Sequence, residues 1–387
     1  MKFVGVICEY NPFHLGHKKQ FDYIRTVFGE ECAIVCLMSG NFVQRGQPAI
    51  FDKSLRAEAA LKCGADLVLE LPVQYALSSA ESFAAGGVQI LGRFCDYLCF
   101  GSENGTEETL MATARALLSA PFSEKLRLQL DKGLSFPAAR QAALEEMELD
   151  SSLLISPNDI LAVEYCKAIL AQSCTMKPLV IRRKGDYHAD TPDAENPSAT
   201  SLRALAFQKQ DWLGFVPQEA REILVNAPVH SISLGERAIL ARLRTMTDAE
   251  FEALPYGSEG LWRKLMHASR SCGGLEEILA ETKSKRYTRS RLDRMVMCAF
   301  LGLTAQILTE KAPYVRVLGF RSKGTDALKL ARKTGDFPHI GEKTGHTYEI
   351  LERRCDDLYG LFRAECPEKA GMTQRRRVCI VADGKAD

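Results

Sequence analysis

The sequence lacks several features that would each point to a particular class of protein. No apolar run is long enough to span a membrane, and the short apolar stretch behind Lys2 does not form a signal-peptide pattern. None of the 13 cysteines is spaced CxxC, and no cysteine and histidine cluster suggests zinc. No nucleophile-elbow pattern points to a Ser-His-Asp hydrolase. We therefore expect a cytoplasmic protein with reduced thiols, no membrane segment and no metal ion held by the protein.

Net charge is also nearly absent. The 50 Lys and Arg residues are balanced by 49 Asp and Glu residues, which gives a formal charge of +1. A nucleic-acid surface would therefore have to arise from local clustering of basic residues. With 46% hydrophobic and 26% charged residues, the chain has the composition of a globular protein with an ample core. Its 387 residues suffice for two or three domains.

The first half of the sequence alternates strand-like and helix-like segments. Apolar, β-rich runs lie at residues 3–8, 32–38, 66–71, 97–100 and 178–183. This alternation predicts βαβ units and therefore an α/β fold with a Rossmann-like parallel sheet. After about residue 205 helical segments dominate, with short strands expected only near 315–320 and at the C-terminus. We predict an α/β domain over residues 1–205 and a mainly α-helical domain over residues 206–387.

Polar, glycine-rich segments follow the predicted strands. They read "EYNPFHLGH", "SGNFVQRGQPA", "PVQYALSSAES" and "GSENG" after the first four strands, and the fifth strand ends in Arg182 and Arg183. Ligands of doubly wound sheets bind outside the carboxyl ends of the strands. Gly, Asn and Arg gathered at one edge of the sheet therefore predict a pocket for a ligand that carries phosphate.

The first of these segments puts two histidines at the start of a predicted helix, His14 and His17, with Gly16 between them. They could bind a metal, transfer a proton or bind an anion. A metal needs further ligands, and only Glu9 is near in sequence. Helix N-termini attract phosphate, and imidazole N–H donors stabilise charge on a transferring phosphoryl group. We therefore favour phosphate handling over metal binding and general-base catalysis.

A second charged feature lies in the helical half. The segment "KSKRYTRSRLDR" (283–294) has six basic residues and one Asp, with Tyr287 between the basic residues. Basic residues interleaved with an aromatic are typical of RNA backbone contact combined with base stacking. A generic charge run of this kind is often only a solvated helix face, but its density in a chain of charge +1 favours RNA. The predicted RNA-binding residues are Lys283, Lys285, Arg286, Arg289, Arg291 and Arg294.

The HxGH element resembles the signature of the HIGH nucleotidyltransferase superfamily, whose members join an acid or alcohol to part of a nucleotide and release pyrophosphate. "SATSLR" (198–203) resembles the superfamily's second, ISSTxxR-like signature, from which Ala199 departs. The likeness extends further, to the bacterial tRNA(Met) cytidine acetate ligase family. It rests on six segments in the same order: "GVICEYNPFHLGH", "MSGNFVQRGQPAIFDKSLRAEAAL", "FGSENG", "SPNDILAVEY", "SATSLR" and "KRYTRSRLDR".

This resemblance implies a function. Members of that family use ATP to activate acetate as acetyl-adenylate, and then acetylate N4 of the wobble cytidine in elongator tRNA(Met), which gives N4-acetylcytidine. Residues 1–205 would accordingly form an ATP-binding nucleotidyltransferase-like domain, and residues 206–387 would bind tRNA. The resemblance implies an ATP site made of Ile7, Cys8, Glu9, Tyr10, Asn11, Pro12, Phe13, His14, Leu15, Gly16, His17, Lys18, Lys19, Gln20, Gly101, Asn158 and Arg183.

Physical roles can be given to the residues outside the HxGH segment. Gly101 would let the adenosine approach the backbone. Asn158 offers a donor and an acceptor to a base or ribose, or else caps the helix that starts near residue 159. Arg183 would pair with phosphate, with Arg182 as its rival. We expect Mg²⁺ to accompany the triphosphate, held by phosphate oxygens and water.

In the implied reaction, His14 and His17 are the catalytic residues, because they would stabilise charge on the α-phosphate while acetate attacks it. The sequence identifies no base for the N4 proton. Two other functions stay open. A small-molecule nucleotidyltransferase of the pantetheine-phosphate or nicotinate-mononucleotide type would share the histidines, and a non-catalytic RNA-binding protein would need only the basic segment.

Overall fold

The computed structural model describes residues 1–183, 197–333, 347–365, 370–371 and 376–382. The strands are β1 (Phe3–Cys8), β2 (Ala33–Ser39), β3 (Phe42–Val43), β4 (Gln47–Pro48), β5 (Leu67–Leu71), β6 (Tyr97–Ser102), β7 (Lys177–Arg182), β8 (Val317–Phe320) and β9 (Cys379–Ile380). The helices of the first half are α1 (Leu15–Phe28), α2 (Lys53–Lys62), α3 (Val73–Ala76), α4 (Ala80–Leu91), α5 (Glu107–Leu117), α6 (Ala120–Asp131), α7 (Phe136–Glu145) and α8 (Pro157–Ala171).

Helices dominate the second half, as the sequence predicts. They are α9 (Ala199–Phe207), α10 (Gln218–Leu224), α11 (Glu236–Thr245), α12 (Asp248–Glu252), α13 (Leu261–Ser271), α14 (Leu275–Thr282), α15 (Arg289–Leu301), α16 (Ala305–Thr309), α17 (Ser322–Lys333) and α18 (Thr347–Tyr359). Among the described residues, none of these helices or those of the first half combines the length and apolarity that crossing a membrane requires.

Seven strands form one sheet in the order β7-β6-β1-β2-β5-β8-β9, and β3 and β4 form a separate short hairpin. The five strands from β7 to β5 are parallel, whereas β8 runs antiparallel to β5. The five strands predicted from the sequence and the α/β class are confirmed. Along the chain, β2 and β5 are added on one side of β1, and β6 and β7 are then added on its other side. The topological switch point therefore lies between β1 and β6, where ligands of such sheets bind.

The central strands are mostly apolar, with Glu70 of β5 as an exception, because helices cover both faces of the sheet. Along β2, Val35 and Leu37 join the cluster on the side of α4 and α8, and Ile34 and Cys36 join the cluster on the side of α1 and α2. Successive residues of a strand point to opposite faces, so a strand in the middle of this sheet needs apolar residues at nearly every position. The parallel strands can therefore be predicted from the sequence as apolar runs.

The second half of the chain contributes side chains to the hydrophobic clusters on both faces of the sheet and also forms a cluster of its own. A third cluster is built from helices α11, α13, α14, α15 and α18, together with Phe42 and Leu77 from the first half. Helix α10, however, packs its Ala220 and Leu224 into the cluster beside α2, and β8 pairs with β5. The strand predicted near 315–320 is confirmed. The domain boundary at residues 205 and 206 stays a prediction.

A buried network of charges connects the two halves. Lys53 Nζ of α2 donates to both carboxylate oxygens of Glu70, at 2.7 and 3.0 Å. It also donates to both carboxylate oxygens of Asp356 in α18, at 2.8 and 2.7 Å. Arg316 lies 3.2 Å from Asp356 and 3.2 Å from Glu352. Burial, followed by the nearby charge of Glu70, raises the pKa of Glu352 to about 7.

Candidate active site

A cleft of about 1600 Å³ opens where the parallel strands end. The loop after β1, the end of β6 and the start of α8 line one part of it. The β3–β4 hairpin, residues 228–234, the start of α15 and residues 363–365 line the other part. The cleft therefore coincides with the switch point of the sheet and also has a wall from the helical half.

His14 and His17 start helix α1 through a reciprocal capping arrangement. His14 is the N-cap residue, and its Nδ1 accepts a hydrogen bond from the backbone N–H of Gly16 at 3.1 Å. His17 Nδ1 accepts one from the backbone N–H of His14 at 3.3 Å. Side chains that accept from the free N–H groups of a first turn fix where the helix begins. The two imidazole rings stack with their centroids 3.7 Å apart.

These hydrogen bonds decide where the imidazole protons sit. An Nδ1 atom that accepts a hydrogen bond carries no proton, so the proton of each neutral ring is on Nε2. The pKa of His14 is lowered to about 3 by burial, with smaller contributions from Arg183 and Arg203. The pKa of His17 is lowered well below its ordinary value by burial and then by His14 and Arg183. At neutral pH both side chains are uncharged N–H donors that line the cleft.

Gly16 makes this arrangement sterically feasible. A Cβ atom at position 16 would lie 2.9 Å from His14 Cε1 and 3.1 Å from His14 Nδ1. The HxGH spacing by itself would suggest that this glycine lets a ligand approach the backbone. In the structure, the His14 ring itself occupies the space beside Gly16.

The structure brings Gly101, Asn158 and Arg183 together beside the histidines. Arg183 lies over the end of β6, where a Cβ atom at Gly101 would come within 2.6 Å of its Cδ. Its Nη1 donates to Asn158 Oδ1 at 3.5 Å. All three residues line the cleft, whereas Arg182 is not among its lining residues. The N-cap of α8 is Ser156, so the alternative that Asn158 caps this helix is wrong.

Asp159, which the sequence analysis does not single out, fixes the loop next to Gly101. It is fully buried and accepts hydrogen bonds from the backbone N–H groups of Glu103 at 2.8 Å and Asn104 at 3.2 Å. The hydroxyl of Ser102 donates to the same carboxylate. A buried carboxylate needs such donors, so this loop and the start of α8 form one unit. The only sequence signal is an acidic residue directly before the apolar segment "ILAV".

Arg56 is a second residue that the sequence analysis does not single out. It is fully buried in α2, and its guanidinium donates to the carbonyl oxygens of Glu9, Ser39, Gly40 and Phe51. These carbonyls follow β1, β2 and β4. One side chain therefore holds three loops at the edge of the cleft, and nothing in the local sequence distinguishes it from an exposed helical arginine.

The second signature also reaches the cleft. Ser198 caps α9 by accepting from the backbone N–H of Ser201 at 3.1 Å. Arg203 donates to the carbonyl oxygen of Asn11 at 2.8 Å and to Thr200 Oγ1 at 3.1 Å. Ser198 and Arg203 both line the cleft. The HxGH loop and the "SATSLR" segment thus meet at the cleft.

Not every residue of the implied ATP segment faces the cleft. Phe13 is fully buried against Tyr10 and Phe21, and Lys18 forms an ion pair with Asp22. Pro12, Phe13, Leu15, Gly16, Lys18 and Lys19 are not among the lining residues, and the other residues of Ile7 through Gln20 are. The ATP-site assignment of the whole segment stays a prediction. In the part of the chain that the structure describes, no group of three or more His, Cys, Asp or Glu side chains is placed to hold a metal ion.

The basic segment divides into an exposed part and a structural part. Lys283, Lys285, Arg286 and Arg289 are exposed, whereas Arg291 and Arg294 are partly buried. Two of the exposed arginines pair with carboxylates: Arg286 with Glu259 at 3.0 Å and Arg289 with Glu276 at 2.7 Å. Lys285 forms no ion pair with a described residue. The predicted role of all six residues in RNA binding stays a prediction.

The two partly buried arginines have contacts within the protein. Arg291 donates to the carbonyl oxygen of Tyr256 at 2.8 Å and lies over the ring of Tyr287. Arg294 donates to the carbonyl oxygen of Gln44 at 3.3 Å, which joins α15 to the β3–β4 hairpin. These contacts anchor the first turns of α15 beside the cleft.

Comparisons with known proteins agree with this geometry. The sequence profile of the family described as HIGH Nucleotidyl Transferase matches residues 1–373. The chain is 36% identical to a protein of Acetivibrio thermocellus named tRNA(Met) cytidine acetate ligase, over 98% of this chain and 100% of that protein. It is also 36% identical to the protein of that name from Clostridium acetobutylicum, over 91% of this chain and 92% of that protein.

Two solved structures of Thermotoga maritima TmcAL are also similar. The apo form has a TM-score of 0.89 at 30% identity, and the form bound with alpha-thio ATP has a TM-score of 0.88 at 29% identity. Each match covers 99% of this chain and 100% of the solved chain. The resemblance inferred from the sequence motifs therefore extends to the whole fold.

Proposed function

The chain belongs to the HIGH nucleotidyltransferase family and, within it, to the tRNA(Met) cytidine acetate ligases, and from this premise we propose the reaction that it performs. It is an ATP-dependent ligase that activates acetate as acetyl-adenylate, releases pyrophosphate, and acetylates N4 of the wobble cytidine in elongator tRNA(Met). ATP and tRNA meet in the cytoplasm, where we expect the enzyme to act.

One observation carries the proposal for the first step. Two neutral imidazoles line the cleft at the N-terminus of α1, with their protons on Nε2. Neutral N–H donors on a helix N-terminus can bind an α-phosphate and strengthen their hydrogen bonds as negative charge builds on it. Arg183 and Arg203 add positive charge on the same side of the cleft.

In the first step, a carboxylate oxygen of acetate attacks the α-phosphorus of ATP and pyrophosphate leaves. His14 and His17 donate to the α-phosphate oxygens, and Arg183 or Arg203 holds a further phosphate oxygen. The adenosine lies towards Gly101 and Asn158. Mg²⁺ would accompany ATP, held by the phosphate oxygens and water, and would help to neutralise the triphosphate charge.

The second step needs no nucleophile from the protein. The two cysteines that line the cleft, Cys8 and Cys99, are buried, and burial raises the pKa of Cys99 to about 12 and that of Cys8 well above its ordinary value. A thiol that keeps its proton is a poor nucleophile. The cytidine amine therefore attacks acetyl-adenylate directly, and AMP leaves.

The RNA side of the proposal rests on the position of the basic segment. Thr288, Arg289 and Ser290 line the same cleft as the histidines, and the exposed Lys283, Lys285 and Arg286 lie just before them in the chain. Such a cluster suits contacts to the phosphates of an anticodon loop. Arg291 and Arg294 support these residues by anchoring α15.

Two assays test the proposal. The protein should exchange labelled pyrophosphate into ATP only when acetate is present, and should then transfer labelled acetate to elongator tRNA(Met). Exchange that depends on a different acid, or adenylyl transfer to a small nucleotide acceptor, would favour the small-molecule nucleotidyltransferase. Absence of exchange, together with retained tRNA binding, would favour a non-catalytic RNA-binding protein. Either result would overturn the proposal.

A further inference from the structure

We propose that the half of the cleft lined by the β3–β4 hairpin, residues 228–234 and the start of α15 is a pocket for an unpaired cytosine base, and that Asp293 is the group that binds its N4 amine and accepts the N4 proton. This inference rests on the proposed function, because it identifies where the acceptor of the acetyl group lies.

The size of the cleft is the first argument. Pockets for small molecules usually measure about 300–1,000 Å³, whereas this cleft measures about 1600 Å³. The residues with phosphate-binding and adenosine-binding roles all lie at the ends of β1, β6 and β7 and at the starts of α1, α8 and α9. The hairpin, residues 228–234 and α15 enclose space beyond them. A second substrate can therefore lie next to the nucleotide.

The contacts between the elements place this second wall close to the reacting end of the nucleotide. The backbone N–H of Gln44 in the hairpin donates to Glu9 Oε1 at 2.9 Å, directly behind β1. The carbonyl of the same residue accepts from Arg294 of α15. Gly46 adopts a φ of +76° and packs so closely on α15 that a Cβ atom would collide with the backbone of Asp293 and Arg294. A single hairpin therefore separates the start of α15 from the HxGH loop.

Asp293 has an oxygen available to a ligand in this wall. It lines the cleft and is 8% exposed. Its Oδ1 accepts from Arg289 Nε at 2.8 Å, while no described residue donates a hydrogen bond to Oδ2. Burial raises the pKa of the Asp293 carboxyl, which makes its carboxylate form a better proton acceptor.

The other carboxylates that line the cleft are less suited. Glu9 already accepts from Gln44 and lies in the segment assigned to ATP. Glu365 has a side chain that is 77% exposed and pairs with Arg363 at the outer wall. Asp293 alone among the described lining residues combines a buried carboxylate with a position on the acceptor side.

The chemistry of Asp293 matches cytosine. The Watson–Crick edge of cytosine presents an N4 amine as donor and N3 and O2 as acceptors. A carboxylate accepts from the amine, and Arg294, which also lines the cleft, has N–H donors for the acceptor side of the base. Uracil presents an oxygen at the same place, and this oxygen would face the carboxylate without a proton between them. Asp293 would therefore favour cytosine over uracil.

The acyl transfer then balances as follows. The N4 lone pair forms a bond to the carbonyl carbon of acetyl-adenylate, and the bond from that carbon to the phosphate oxygen breaks. AMP leaves with the electron pair of that bond, and one N4 proton passes to Asp293 Oδ2. The remaining N4 hydrogen stays on the acetylated base.

Asp293→Asn tests this role, because the amide keeps the size of the side chain and an oxygen for Arg289 but cannot take a proton. We expect the ratio of acetyl transfer to acetate-dependent pyrophosphate exchange to fall at least about a hundredfold, since general bases contribute about 10²–10⁴ to rate. Glu281→Gln, which removes the same charge from an exposed residue of α14, should keep the wild-type ratio. An unchanged ratio in Asp293→Asn would overturn the inference.

Binding of two short RNAs gives a second readout that a merely structural role would not change. Wild-type protein should bind an anticodon stem-loop with cytidine at the wobble position about tenfold or more tighter than the same RNA with uridine. Asp293→Asn should bring this preference close to one. If the preference is retained, the carboxylate does not read the base. Loss of all exchange and transfer in the wild-type protein would instead contradict the proposed function, so the two failures are distinguishable.

Discussion

The histidines of the HxGH segment owe their chemical state to the backbone groups that start α1. Each Nδ1 accepts a hydrogen bond from a first-turn N–H, so each Nε2 keeps its proton. Burial and the neighbouring arginines lower both pKa values, so neither ring becomes charged at physiological pH. The same few atoms thus define the helix start and leave two N–H donors in the cleft.

His17→Ala should lower the rate of acetate-dependent pyrophosphate exchange by about 10²–10³, because it removes one donor to charge that builds in the transition state. His267→Ala, which truncates an exposed histidine of α13, is the matched control and should exchange at the wild-type rate. Exchange by His17→Ala within threefold of wild type would be inconsistent with any contact between this residue and the α-phosphate.

Gly16→Ala should slow exchange at least about tenfold with little change in the free energy of unfolding. The new methyl group would displace the His14 ring, while alanine in a helix is favoured over glycine by up to about 1 kcal/mol. Gly214→Ala is a suitable control because no heavy atom lies within 4 Å of its Cβ position. Exchange rates and urea unfolding curves of both variants measure the effect. A normal rate in Gly16→Ala would mean that the ring can move without loss of function.

Single residues differ in how well the sequence reveals them. His14, His17 and Gly16 stand out because residues at this spacing lie together at the first turn of a helix. Asp159 and Arg56 do not stand out, because their partners are backbone groups of loops that are distant in sequence. Such partners become visible only when the fold has brought the loops together.

Among the elements, the five parallel strands are the easiest to predict. Most of their residues are buried because helices cover the sheet, so their sequences are mainly apolar. The hairpin of β3 and β4 is different, because each strand has two residues and the packing partner is α15 in the other half. Neither periodicity nor composition predicts an element of that length.

The charge network between α2, β5 and α18 gives the stability a definite pH dependence. The pKa of Glu352 is about 7 in the folded protein, against an ordinary value of 4.5. The folded state therefore holds a proton that the unfolded chain releases, and this contribution to stability is complete below about pH 4.5 and is lost as the pH rises through about 7. Each unit of pKa difference corresponds to about 1.4 kcal/mol.

Glu352→Gln should remove this contribution. Its free energy of unfolding should fall less than that of the wild type between about pH 5 and about pH 8, because the amide does not titrate. Urea unfolding at a series of pH values measures the two curves. Glu252→Gln changes an exposed glutamate of α12 and should follow the wild-type curve. Parallel curves for Glu352→Gln and the wild type would show that this carboxyl has an ordinary pKa.

On the scale of the whole molecule, the two halves of the chain meet at one cleft. The first half supplies the nucleotide side, and the helical half supplies a wall with exposed basic residues. Two of these charges are offset by Glu259 and Glu276. RNA phosphates would therefore have to compete with these carboxylates for Arg286 and Arg289, whereas Lys285 is exposed and forms no ion pair with a described residue.

Replacement of Lys285 and Arg286 together by alanine should weaken tRNA binding and make it less sensitive to salt. The slope of log affinity against log salt should become shallower by about 1–2, because each phosphate contact contributes somewhat less than one unit. Arg127 and Lys132, which are exposed on and beside α6, form a charge-matched control pair. If both double variants have the wild-type slope, the basic segment does not contact the RNA backbone.

Each side of this cleft can be predicted separately from the sequence, but the contact between the two sides cannot. The HxGH segment predicts a phosphate site, and the basic segment predicts RNA binding. Their shared wall depends on Gly46 packing against α15 and on Arg294 reaching Gln44. These contacts between distant parts of the chain have no local sequence signal.

The pairing of β8 with β5 also has a consequence for the order in which the protein forms during synthesis. Leu67 pairs with Phe320, so the edge of the sheet beyond β5 has no partner until most of the chain has left the ribosome. Contacts between residues so far apart slow folding, and an open strand edge is prone to pair with other chains. The nascent α/β half must therefore wait, with the edge of β5 exposed, for a strand that is translated long after β5.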